Sequence, residues 1–282
     1  MFMNSDANLE LDALSEKFVE KTFSPQLNAL SEIESVCSKL QSNWIGDPSI
    51  EMDFGKSFVI CGIGSHVLMH VDAINVLLRK NIAIPACLSA RALVEIKYYI
   101  KWIFSEDGNE SINNKIDSYL AYELRQRLSS DVYKDEHERV RALLSMSRFN
   151  KVNEYYDANP SGKKKWYSII DSSFPNIFTI ADKMECKDEY LKDYSLFSNV
   201  IHSGLSILDH VYIEPDGKMS QLSIRSPKPI NPSKVIRSTF DSVSAIFEIL
   251  IKNYSPSDNP EFSSKVIEWD KVVSSEVVYK YK

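Results

Sequence analysis

Cysteine is scarce in this chain, with four among 282 residues. Cys37, Cys61, Cys87 and Cys186 form no C-x-x-C pair, and no zinc-ligand spacing connects them. Scattered thiols in a chain of this length point to a reduced, cytoplasmic protein. The opening residues, MFMNSDANLELD, lack a basic stretch followed by an apolar run, so no signal peptide is expected. Internal repeats and low-complexity stretches are missing too, which argues against a solenoid or an array. Basic charge is in deficit: the net charge is −6 and the pI about 5.5. Such a surface does not attract nucleic acid over its whole area, but it leaves room for a local basic pocket. What is present is ordinary for a globular chain. Apolar residues make up 44% and charged residues 26%, enough for a sizeable core.

Helical periodicity dominates. Leu9–Thr22 and Gln26–Ser42 read as two amphipathic helices separated at Pro25, and WIGDPSIEMDFG, residues 44–55, reads as a loop. FVICGIGSHVLMHVDAINVLL, residues 58–78, has the length of a membrane span. His66, His70, Asp72 and Asn75 in its second half make a buried core helix the better reading. A helix from about Pro85 to Ser105 follows, then two polar and therefore exposed helices, about 110–130 and 134–150. Residues 187–212 form another long helix. The PDG turn and the alternating Met219, Leu222 and Ile224 suggest a small hairpin or extended excursion. The expected fold class is all-α: a bundle of long antiparallel helices with a small extended or hairpin insertion near 213–230. Residues 1–56 are expected to form an N-terminal helical appendage, 57–255 the helical core domain and 256–282 a C-terminal helical tail.

The stretch ARALVEIKYYIKWIF, residues 90–104, sets charges among apolar positions. With Arg91 at zero and steps of about 100° per residue, Glu95, Tyr98, Trp102, Ile84, Cys87 and Leu88 all fall on its side. Lys97 and Lys101 fall away from it and mark a wet side. An i, i+4 spacing lets Arg91 and Glu95 meet. As a structural pair they would fix helix register. As a pocket floor, Arg91 would meet an anion while Glu95 holds the guanidinium. A second stripe lies in YLKDYSLFSNVIHSGLSILDHVY, residues 190–212. Tyr194, Ile201, Leu205 and Leu208 form its core seam, and Ser198, His202 and Asp209 run along the edge. His202, at the border of the apolar face, is either a satisfied core histidine or an acid–base group.

Other motifs are weaker. Asp209 stands about 10 Å along the axis from His202, too far to orient it, and no G-x-S-x-G surrounds Ser198, which excludes a hydrolase triad. His66 and His70 have metal-binding spacing, but the glutamate of H-E-x-x-H is missing, so helix packing is the expected role. Gly62 and Gly64 in CGIGSH make half a dinucleotide loop, without the third glycine or a βαβ context. Lys163–Lys165 before Trp166 read as a solvated loop.

Two stretches together, IPACLSARALVEIKYYIKWIF and KKKWYSIIDSSFPNIFTIADKMECKDEYLKDYSLFSNVIHSG, resemble a bacterial all-helical family, domain of unknown function 5677. That family shows an R-x-x-x-E helix and then a Tyr-rich helix ending in S-x-x-x-H. Here these are Arg91, Glu95, Tyr194, Ser198 and His202, and the resemblance spans about residues 83–254. The resemblance implies no activity. More distantly, the helical core is similar to the HEPN group, many of whose members are metal-independent ribonucleases of toxin–antitoxin and phage-defence systems. Their motif places an arginine four to six residues before a histidine. No arginine precedes His202 at that distance, so its basic partner has to come from another helix, with Arg91 the candidate. On the HEPN-like reading, Arg91 and His202 would be catalytic, with Glu95 orienting Arg91. Tyr98, Tyr194, Ser198 and Asn199 would then be binding residues. The alternative is a non-catalytic helical module that binds a ligand or regulatory partner. Neither reading calls for a cofactor or a metal. RNA or another anionic ligand, a protein from the same operon, and a second copy of the chain are the partners expected; a membrane is not.

Overall fold

In the computed structural model the chain is helical through most of its described length. The structure describes residues 5–106, 110–158, 165–202, 211–213, 219–221, 231–255 and 259–275; for 5–15, 201–202, 211–213 and 219–221 it describes the backbone alone. The fold class is all-α, as the periodicity predicts. The longer helices are α1 (Ser5–Gly46), α2 (Gly64–Arg79), α3 (Ala83–Phe104), α4 (Ile112–Leu128), α5 (His137–Leu144), α6 (Asn150–Ala158), α7 (Ser195–His202), α8 (Pro232–Tyr254) and α9 (Pro260–Val273). The chain divides into two compact units interleaved in sequence. One comprises Met1–Ile50, Ile63–Lys97 and Asp188–Lys282; the other comprises Glu51–Gly62 and Tyr98–Lys187. These divisions do not fall at residues 56 and 255.

In the first unit, α1 packs on α2, α8 and α9. Val19, Phe23, Leu27, Leu30, Ile33, Cys37, Leu40 and Trp44 recur at three- and four-residue intervals along α1, and all are buried. That is the stripe an amphipathic helix turns to a core. Val67, Val71, Ile74 and Leu78 do the same for α2. Trp44 lies inside α1, not in a loop, and its ring stacks on Phe247 of α8. Pro25 does not divide α1 either: one helix of 42 residues carries it inside. A proline within a helix forfeits a backbone hydrogen bond. Burial of Phe23 and Leu27 on either side of Pro25 offsets that loss. Two Asn-Pro pairs start the last helices. Asn231 and Asn259 accept from the backbone N–H groups of Ser233 and Phe262, and each is followed by proline at the first helical position, where the missing N–H costs nothing.

Phe54–Arg79, which includes α2, is long and apolar enough to cross a membrane, with 39% of its most apolar window buried. Within it α2 packs on α1, while Met69 and Val76 stand exposed. A two-stranded antiparallel pair, Val211–Ile213 with Met219–Gln221, sets Val211 opposite Gln221. The hairpin is therefore present and starts earlier than expected. Val211 and Tyr212 belong to this strand and not to the preceding helix. The PDG turn and Leu222–Ile230 lie outside the described residues.

The second unit corrects the reading of the helix at 110–130 as exposed, whereas most of 134–150 is exposed as expected. Lys115, Ile116, Asp117, Ser118, Leu120, Ala121 and Leu124 of α4 are buried. Leu120, Ala121 and Leu124 cluster with Val140, Leu144, Phe149 and Val152. Charged residues conceal this face because two of them serve other groups within it. Lys115, at 0% exposure, donates to the carbonyls of Trp102 and Ser105 at 3.1 and 2.9 Å. A cation there neutralises the negative end of α3. Asp117 accepts from Nε of Arg148 at 2.9 Å.

Candidate functional site

The first unit brings Arg91, Glu95 and Tyr194 together. Arg91 Nη2 donates to the Tyr194 hydroxyl at 3.1 Å, and that hydroxyl donates on to Glu95 Oε2 at 3.4 Å. The guanidinium carbon lies 5.1 Å from the centre of the Tyr194 ring. Arg91 and Glu95 are half-buried, and Tyr194 is buried. The i, i+4 spacing on α3 sets the two charged groups on one side, so a single phenol reaches both. Tyr194 ends a π-helical turn, Tyr190–Tyr194, just before α7. Such turns are rare and often mark functional segments. Tyr190 stacks on Tyr194 with centroids 4.9 Å apart and planes 23° from parallel. Burial pushes the Tyr194 phenol above its ordinary range, opposed by the Arg91 hydrogen bond and reinforced by the Glu95 charge. The group therefore stays neutral at physiological pH, able to accept from Arg91 and donate to Glu95 at once.

Lys97 overturns the wet side assigned to α3. It is 3% exposed and paired with Glu189. Leu88, placed on the core side by the wheel, is 53% exposed. The seam of α3 is therefore rotated from the Arg91 axis toward Lys97. Arg91 meets residue 194 and Lys97 meets residue 189, so the two segments run in opposite directions. Lys101, further along, donates to the Met184 carbonyl at 3.3 Å and to Cys186 Sγ at 3.1 Å.

The remaining predicted residues are distributed unequally. Tyr98 is fully buried on α3. Ser198 is half-buried and Asn199 exposed on α7. Ser198 and His202 follow Tyr194 at intervals of four residues, about 6 Å of axial rise each. The backbone of His202 closes α7; its side chain, like Asp209 as a whole, lies outside the described residues. The structure thus gathers Arg91, Glu95 and Tyr194 and puts Ser198 and His202 on the helix that continues from Tyr194.

Sequence reasoning missed one group. Arg148 and Asp117 line a cleft in the second unit with Glu110, Asn114, Ser118 and Lys151. Burial raises the Asp117 carboxyl while Arg148 opposes the shift, and the ion pair with Lys151 holds Glu110 low. The signal was the charge density of residues 110–151, which reads equally well as a solvated face. The His66–His70 pair, visible in the sequence as spacing, closes into a direct contact. Their Nε2 atoms lie 3.2 Å apart. Burial lowers the His66 pKa, and burial with the His66 charge pushes His70 down to about 4.

A family model described as a family of unknown function (DUF5677) matches residues 58–219, more than half of the chain. The chain belongs to DUF5677. The match begins earlier and ends earlier than the stretch of resemblance, and Arg91, Glu95, Tyr98, Tyr194, Ser198, Asn199 and His202 all lie within it. DUF5677 therefore covers the whole candidate site, while all of α1, α8 and α9 falls outside the matched region. No curated protein and no solved structure matches the chain.

Proposed function

We propose that this DUF5677 protein is a HEPN-like, RNA-cleaving or RNA-binding protein of a bacterial defence or toxin–antitoxin type system. The observation that supports this reading is the Arg91–Tyr194 contact. It joins two segments about a hundred positions apart and sets a half-buried guanidinium beside the helix that carries Ser198 and His202. A guanidinium is always charged and matches phosphate geometry. Tyr194 and Glu95 orient it in advance, which is the arrangement that stabilises charge developing on a phosphorane. In the proposed reaction the ribose 2′-hydroxyl attacks the adjacent phosphorus. His202 takes the hydroxyl proton or protonates the leaving oxygen, and the 5′-oxygen departs. Ser198 and Asn199 contact the RNA backbone. The protein acts in the cytoplasm, alone or with a partner encoded in the same operon.

The test is cleavage of single-stranded RNA with and without EDTA by wild type and His202→Ala. Metal-independent cleavage lost on substitution is expected. No cleavage by wild type removes the enzymatic reading. If such protein still binds RNA, and Arg91→Ala abolishes the binding, the non-catalytic reading replaces it.

A further inference from the structure

We propose that His66 and His70 on α2 form a chelating site for a divalent transition ion of the zinc class. The helical spacing sets both imidazoles over the same turn. Their centroids lie 4.5 Å apart with planes 75° from parallel, so the rings meet through their Nε2 edges and do not stack. The two Nε2 atoms are 3.2 Å apart. Tetrahedral zinc with Zn–N bonds of about 2.0–2.1 Å needs donor nitrogens about 3.3–3.4 Å apart. The pair therefore already has nearly the separation of one edge of the coordination tetrahedron, and little rotation of either side chain is required.

The same geometry describes a hydrogen bond in which one Nε2–H donates to the other. The two states differ by one tautomer shift. When the ion enters, the shared proton moves to Nδ1 of the donor ring, both Nε2 lone pairs turn to the metal, and no proton leaves the pair. His66 is exposed and His70 half-buried, so an ion can reach them. Among the described residues no third His, Cys, Asp or Glu joins them in a metal-binding group. The remaining positions fall to water or to donors from a second copy of the chain. Met69 and Val76, exposed on the same helix, give a second α2 an apolar surface beside the ion. The site uses no residue of the Arg91 cluster and stands or falls independently of the RNA reading.

Isothermal titration of the full chain with ZnCl2 tests it, after EDTA treatment and exchange into chelator-free buffer, beside His66→Ala and His70→Ala. Wild type is expected to bind one ion per chain if water completes the sphere, or one per two chains if a second copy does. Either substitution removes the uptake. Zinc also raises the unfolding midpoint of wild type, because it binds the folded helix, and does not move that of either variant. Circular dichroism confirms that both variants fold. No uptake by wild type overturns the proposal. So does uptake retained by either variant, since His137, His202 and His210 remain in both.

Discussion

Arg91 and Lys97 are cations on one helix, and both reach the segment around residues 189–194, yet their settings differ. Lys97 is sealed against a carboxylate. Arg91 is half-open and held by a neutral hydroxyl that also touches Glu95. A buried ion pair has its charge spent on its partner and resists separation. A half-exposed guanidinium against a phenol stays charged and matches the geometry of a phosphate. The contrast teaches that a charge among apolar positions marks a candidate site only when its surroundings leave a route to solvent.

The difference predicts opposite responses to substitution. Glu189→Ala strips Lys97 of its carboxylate and is expected to destabilise the fold by about 3 kcal/mol, read from urea unfolding. A loss under about 1 kcal/mol would remove the distinction from Arg91. Lys115→Met, in the second unit, deprives the end of α3 of its cation and should cost about 2 kcal/mol in the same measurement. Arg91→Ala should cost only about 1 kcal/mol; a cost matching that of Glu189→Ala would make Arg91 structural.

The smallest effect is on pH dependence. Because burial raises the Tyr194 pKa, its folded value lies above the unfolded one, near 10. The stabilisation is complete below about pH 10 and is lost as pH rises through the folded value. Tyr194→Phe should flatten the decline of stability in that alkaline window. An unchanged slope would show that other groups set it.

Periodicity made the Arg91, Glu95 and Tyr194 stripes legible, since helical spacing alone sets which residues share a side. It could not reveal that Lys97 and Lys115 are buried. Lysine is solvated by default, and only a partner distant in sequence, Glu189 or the carbonyls ending α3, makes its burial tolerable. The wheel likewise turns Leu88 inward although it is exposed. The orientation of α3 is set by all its neighbours, and the Arg91 wheel contains none of them. The histidine pair was visible as spacing, but the approach of its Nε2 atoms depends on side-chain torsions that no sequence pattern encodes.

Metal-free RNA cleavage by Arg91→Ala protein, at a temperature where its folding is confirmed, separates the two cations most directly. Cleavage lowered by about a hundredfold or more, with Lys97→Met retaining near wild-type activity, is the predicted result. Undiminished cleavage by Arg91→Ala would contradict the assignment of Arg91 as the group that meets phosphate.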